Sequence, residues 1–320
     1  MAVVFQTDYA WPDNAIERDV VEAAGHVFLC GPAVPASIAE IEALVERHQP
    51  EAIMTCWAPV GARAIEVAKD LRIVQRIGVG LDNIAVEAAT VRGVWVANVP
   101  DYCVGEVSDQ AIAMLLDWAR GTVFFDREVK AGRWNPAAAR LRRVSDLTVG
   151  VVGLGRIGRA TVAKLAAFGC TVLAHSPSAR DGGPACLLPL DEMLAASDVI
   201  ILHAPLTDAT RHLFDAKRLA HVKEGCFLIN VSRGPLVDNE ALIAALEAGR
   251  LSGAGVDVIE GEPTPPRALV ERPDVIVTPH VAFSSDASLA ELRRRSAEEV
   301  VRVLSGEHPR NPCNRPGRPR

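Results

Sequence analysis

Short apolar runs alternate with amphipathic stretches along almost the whole chain, and this alternation limits the possible folds more than any single motif does. Val3-Val4-Phe5, Ala52-Ile53-Met54, residues 73–77 (IVQRI) and 94–97 (VWVA) read as strands, while residues 37–48 and 61–69 carry the apolar spacing of helices. Strands separated by helices require crossover connections, so the pattern predicts parallel βαβ units with helices on both faces. A second series has strands at 148–152, 171–175, 198–202, 226–230, 254–257 and 275–278. Six strands with intervening helices match the size of a complete dinucleotide-binding sheet. Residues 105–131, between the two series, read as one long helical stretch, and the run ASLAELRRRSAEEVVRVLSG after Pro279 reads as a helix returning to the first domain. The Pro/Arg-rich tail HPRNPCNRPGRPR is expected to be frayed.

A chain of 320 residues, at roughly 150 per domain, is long enough for two cores. The expected division is a substrate domain at 1–103 plus 287–320 and a dinucleotide-binding domain at 104–286. With 34 Lys+Arg against 40 Asp+Glu the net charge is −6, and the only basic block is the C-terminal tail, so a nucleic-acid partner is not expected. The partner is expected to be a small molecule. Seven cysteines, the closest pair being Cys170 and Cys186, suggest neither a CxxC site nor a disulfide framework, which points to a reducing cytoplasm. The N-terminus has no basic leader region and meets Asp8 early, and no run of 18 apolar residues follows, so neither secretion nor membrane spanning is expected. The histidines at 26, 48, 175, 212, 221 and 308 show no metal-ligand spacing, and no metal is expected.

The sharpest local motif is Gly153-Leu154-Gly155-Arg156-Ile157-Gly158, directly after the strand TVGVV and opening a helix. In that context Gly153 permits a tight turn, Gly155 lets backbone approach a pyrophosphate, and Gly158 lets helix and strand pack closely. The N–H groups at Arg156 and Ile157 open the helix toward the phosphates. Arg159-Ala160 stand where the phosphoryl chemistry of a Walker A loop needs Lys then Ser or Thr, so a Walker A loop is excluded. The residue meeting the adenosine ribose should end the next strand, where His175-Ser176-Pro177-Ser178 carry no carboxylate. Ser176 can donate to a 2′-phosphate, with Arg180 or Arg159 adding charge, so the expected cofactor is NAD(P)H with NADP favoured; the rival is a neutral loop that accepts either form.

RIGVGLDNI at 76–84, NVPDYCVGEVSDQAIAMLL at 98–116, VGLGRIG, LHAPLT at 202–207, NVSRGPLVD at 230–238, DVIEGEP at 257–263 and TPH at 278–280 together resemble the D-isomer-specific 2-hydroxyacid dehydrogenases. Within them the DYC segment and TPHVAFSSDASLAEL look most like the phosphoglycerate-dehydrogenase-like and C-terminal-binding-protein-like branch. The resemblance implies an α/β fold of two doubly wound parallel-sheet domains, a Rossmann nucleotide-binding domain and a discontinuous flavodoxin-like substrate domain, with the active site in the cleft between them. It also implies a catalytic set of Arg233, Glu262 and His280. The chemistry agrees: an arginine fork binds a carboxylate at two points, an imidazole with an unperturbed pKa of about 6.5 gives or takes a proton, and a carboxylate orients it.

The same resemblance assigns Val79 and Gly80 as backbone donors to the substrate carboxylate, with Asn83 stiffening their loop, and Phe283 as an aromatic near the substrate. Val231 becomes a cofactor contact and Asp257 the holder of the nicotinamide carboxamide, the rival for Asp257 being a structural cap. His203 is expected to be structural or to touch cofactor through its loop. The implied activity is an NAD(P)-dependent D-2-hydroxyacid dehydrogenase or 2-keto acid reductase. Two alternatives resemble the same family: a dinucleotide-sensing interaction protein like the C-terminal-binding proteins, and a dehydrogenase of a phosphorus oxoanion or hydroxyphosphonate. A homodimer is expected, because the family is usually dimeric and Ala111-Ile112-Ala113-Met114-Leu115-Leu116 is too apolar for an exposed helix.

Overall fold

The structure, a computed structural model, describes residues 1–9 and 11–317. It divides into two compact units, one of Met1–Tyr102 with Ser285–Arg320 and one of Cys103–Ser284. In the first, β1 (Val3–Gln6), α1 (Ala15–Ala23), β2 (Val27–Cys30), α2 (Ile38–His48), β3 (Ala52–Thr55), α3 (Ala62–Val67), β4 (Ile73–Arg76), α4 (Val86–Arg92) and β5 (Trp95–Ala97) follow in turn. All pairings are parallel, in the order β2-β1-β3-β4-β5. Phe5, Ile53, Val74 and Val96 bury one face against Ile41 and Val45 of α2, Ile65 of α3 and Ala89 of α4. The opposite face is covered by α1 together with a helix from the far end of the chain (Asp286–Leu304). Arg293 of that helix reaches the buried Glu17 of α1 at 2.8 Å.

The second unit runs through α5 (Val104–Arg120), α6 (Thr122–Lys130), β6 (Thr148–Val152), α7 (Arg156–Ala167), β7 (Thr171–His175), β8 (Cys186–Leu187), α8 (Leu190–Ala196) and β9 (Val199–Leu202). It continues with α9 (Ala216–Leu219), β10 (Cys226–Asn230), α10 (Asn239–Glu247), β11 (Leu251–Val256), α11 (Arg267–Val270) and β12 (Val275–Val277), before the returning helix, α12. Its seven parallel strands lie in the order β12-β11-β10-β9-β6-β7-β8. The order reverses between β6 and β9, the place where such sheets open a crevice beyond their carboxyl ends.

Four features differ from the expectations. The stretch at 105–131 is two helices, because Gly121 takes a left-handed φ of 65° and ends α5. The strand β2 was not read, and β8, only two residues long, adds a seventh strand to the second sheet. The tail is docked as far as Asn314: Cys313 N donates to Val96 O at 2.7 Å, and Asn314 accepts from Val96 N at 2.8 Å, covering the free edge of β5. Finally, Ala111, Ile112, Met114 and Leu115 are buried within their own unit, where α5 packs on α7, β10 and β11, so they are no argument for a dimer.

Candidate active site

The glycine turn after β6 has the form its spacing demands. Gly153 sits at φ 99°, and a side chain there would meet the backbone of His203 and Ala204 at 2.8 Å. A Cβ on Gly158 would lie 2.0 Å from Gly153 O, so only glycine lets α7 start this close to the sheet. Gly155 faces open space, and the N-terminus of α7 has no side-chain cap. The first-turn N–H groups of a twelve-residue helix are thus left for an external acceptor, and they fit a dinucleotide pyrophosphate.

Beside this turn, His203 Nε2 lies 2.9 Å from Thr161 Oγ1, and burial pushes the imidazole down to about 3, which keeps it neutral. At the end of β7, Ser176 is half-buried and its carbonyl accepts from Ala179 N. Asp181, the nearest following carboxylate, accepts from Gly183 N at 2.9 Å within its own turn. Arg156, Arg159 and Arg180 are exposed, and none has a carboxylate within ion-pair distance among the described residues.

The carboxyl ends of β10, β11 and β12 carry the titratable groups. His280 Nδ1 stands 2.7 Å from Glu262 Oε1, while Glu262 Oε2 accepts from Ile259 N at 3.2 Å, so both carboxylate oxygens are held. Burial pushes the Glu262 carboxyl upward. The hydrogen bond and charge of His280, the Ile259 N–H and the charge of Arg233 outweigh this and hold it below its ordinary range. His280 adopts a left-handed φ of 55°, an unfavourable conformation for a residue with a side chain. Asp257 over-determines that turn. Its backbone carbonyl accepts from His280 N at 2.8 Å, and its carboxylate accepts from Thr278 Oγ1, from Val281 N at 3.0 Å and from Ala282 N at 2.9 Å. The Phe283 ring meets the imidazole edge to face at 6.2 Å between centroids.

Arg233 follows β10 and the buried Val231. Its Nη1 donates to Ser232 O at 2.8 Å, and its carbonyl accepts from Asn230 Nδ2 at 2.9 Å. The next residue is one that inspection of the sequence overlooked: a side chain on Gly234 would run into the Ile259–Glu260 backbone at 2.2–2.6 Å. The missing Cβ is what lets the arginine loop lie on the turn that carries Glu262. The single glycines in GPLVD and EGEP are the available signal.

In the first unit, the loop after β4 presents Val79 and Gly80. Asn98 Nδ2 donates to Val79 O at 2.6 Å and Asn83 Nδ2 to Ala58 O at 3.0 Å, so the loop is pinned from both sides. Among the described residues, the Val79 and Gly80 N–H groups have no acceptor. No group of three or more metal-ligating side chains occurs among the described residues, and none of their helices is long and apolar enough to cross a membrane.

A glycine turn at the switch point of a parallel sheet, with an oriented imidazole beyond the carboxyl end of β12 in the same sheet, defines the class of dinucleotide-dependent oxidoreductases. Residues 112–282 match the family model described as D-isomer specific 2-hydroxyacid dehydrogenase, NAD binding domain. A glyoxylate reductase of Korarchaeum cryptofilum is 37% identical over 265 residues, covering 80% of each chain. A D-3-phosphoglycerate dehydrogenase of Mycobacterium leprae is 38% identical over 85% of this chain, which spans about half of that longer relative (51%). Among solved structures, an NADPH-dependent glyoxylate/hydroxypyruvate reductase of Sinorhizobium meliloti in complex with NADP and malonate superposes with a TM-score of 0.87. It is 31% identical, over 100% of this chain and 99% of that one. The chain belongs to the D-isomer specific 2-hydroxyacid dehydrogenase family and is an NAD(P)-dependent oxidoreductase, its second unit being the nucleotide-binding domain.

Proposed function

We propose that the protein reduces a short 2-keto acid, of the size of glyoxylate or hydroxypyruvate, to its D-2-hydroxy acid. The observation that carries this reading is the Glu262–His280 pair at 2.7 Å within reach of the Arg233 charge, and the names of the relatives support the substrate class. A reduced nicotinamide, when bound, supplies the hydride to the keto carbon. Arg233 binds the substrate carboxylate and polarises the carbonyl, and the Val79 and Gly80 N–H groups add neutral donors to that carboxylate. Glu262, bonded at Nδ1, sets the tautomer and orientation of His280, so that Nε2 delivers the proton to the carbonyl oxygen as the alkoxide develops. Phe283 packs on the imidazole and borders the substrate. The first unit, the residues read as 1–103 plus 287–320, serves as the substrate domain, and 104–286 holds the nucleotide.

Gly153, Gly155, Gly158 and the α7 N–H groups of Arg156 and Ile157 hold the pyrophosphate, with Val231 lining the cofactor site and Asp257 accepting from the carboxamide while it braces the His280 turn. NADPH is the preferred form, because Ser176 presents no carboxylate to a 2′-phosphate and the exposed Arg156, Arg159 and Arg180 have no ion-pair partner among the described residues. The protein is a homodimer: α6 has no buried residue, its Phe124 and Val129 are each 47% exposed, and Trp134 in the segment just beyond it is 81% exposed, an apolar surface that a second copy would cover. The seven cysteines form no disulfide among the described residues, which supports a cytoplasmic setting.

The test is turnover of glyoxylate, hydroxypyruvate and a panel of longer 2-keto acids and phosphonates with each cofactor, followed by nicotinamide absorbance. Highest kcat/KM with a short 2-keto acid is expected; turnover confined to a phosphonate, or absent with every substrate, contradicts the reading.

A further inference from the structure

Three loops of the second unit meet at one side chain that the proposed chemistry does not use. Glu260 accepts from Arg211 Nη1 at 3.0 Å on one oxygen and pairs with His212 Nε2 at 2.7 Å on the other. Its backbone carbonyl accepts from Asn239 Nδ2 at 2.9 Å, and its backbone N lies under Gly234, beside Arg233. The segment bearing Arg211 and His212 is itself laced to the arginine loop, since His212 N donates to Pro235 O at 2.8 Å and Phe214 N to Leu236 O at 3.0 Å. Two residues beyond Glu260 stands Glu262, whose own turn closes from Glu262 N to Ile259 O at 3.1 Å. His212 takes a left-handed φ of 50°, so the backbone accepts strain at the residue whose ring completes this contact.

We infer that Glu260 is a positioning residue: clamped by Arg211 and His212, it holds the Ile259–Glu262 turn so that the Glu262 carboxylate meets His280, and it links this turn to the loop that carries Arg233. The inference rests on the roles proposed above for Glu262 and His280. Arg211 and His212 are partly exposed, and exposed ion pairs add little to global stability. A small displacement at a reacting centre, by contrast, lowers rate steeply. The clamp therefore acts on the alignment of Glu262 and hardly at all on folding. The charged groups facing Glu262 are His280 and Arg233, and those facing Glu260 are Arg211 and His212.

The test compares Glu260→Ala, Glu260→Gln and Arg211→Ala with Glu262→Gln, all assayed with glyoxylate and NADPH across pH. Glu260→Ala is expected to lower kcat about tenfold or more, leave the KM for NADPH nearly unchanged, and move the acid limb of kcat/KM up toward the ordinary glutamate value of 4.5. Glu260→Gln keeps an acceptor and should recover part of the rate, and Arg211→Ala should show a smaller loss of the same kind, which decides the matter if Glu260→Ala does not fold. Wild-type kcat and acid limb in the folded Glu260 and Arg211 variants, with Glu262→Gln inactive, would overturn the clamp and leave the proposed function standing. A fully active Glu262→Gln would remove both.

Discussion

The two parallel sheets treat the same place in opposite ways. In the first unit the strand order reverses between β1 and β3, and the crevice there is filled by the chain itself: the buried Asp8 carboxylate accepts from the backbone N–H groups of Cys56, Trp57 and Ala58 at 2.7–3.2 Å. In the second unit the reversal between β6 and β9 is lined by glycines, and the helix N–H groups there have no side-chain cap. Any switch point gathers backbone donors that need an acceptor. Where the chain supplies a carboxylate the crevice becomes structure, and where it supplies glycine the crevice stays open to a phosphate.

Exchanging the two solutions should separate stability from binding. Asp8→Ala strips the acceptor from three loop N–H groups at about 1–3 kcal/mol for each buried one, so thermal unfolding should show a loss of about 3 kcal/mol or more while NADPH affinity of the folded fraction is kept. If Asp8→Ala melts with the wild type, the internal plug is not what holds the 56–58 loop. Gly158→Ala forces a methyl group onto Gly153 O, and overpacking of this kind costs about 1–3 kcal/mol. Titration with NADPH should show the weakening concentrated in cofactor affinity, and undiminished binding would contradict the close packing of α7 on the turn. Ser176→Asp brings a carboxylate to the end of β7. It should lower kcat/KM with NADPH at least about tenfold, equivalent to about 1.4 kcal/mol, while NADH holds steady or improves. A ratio that does not move would give the choice of cofactor to the loop backbone or to Asp181.

What the sequence discloses follows the range of the interaction involved. The glycine turn is readable because GxGxxG after an apolar run encodes local backbone demands, and Gly153 and Gly158 meet them. Residues 18 apart in the chain, such as Glu262 and His280, share no local signal, and only the resemblance of whole motifs to a family brought them together. Asp8 entered the sequence reading merely as a charge interrupting an apolar run. Its burial depends on a loop about fifty residues away. The tail misled for a related reason: Pro and Arg suggest fraying, whereas Cys313 and Asn314 are held by hydrogen bonds to β5 that composition does not encode. The Gly121 break was visible as a glycine within a helical pattern, but the pattern alone does not distinguish a tolerated glycine from a left-handed helix end.

The central claim is that His280, turned by Glu262 and braced by Asp257, delivers the proton in 2-keto acid reduction. Steady-state kcat of His280→Ala with glyoxylate, measured beside the NADPH dissociation constant, tests it most directly. Loss of a positioned acid should lower kcat by about 10²–10⁴-fold with the dissociation constant nearly unchanged. Turnover near the wild-type rate would contradict the assignment.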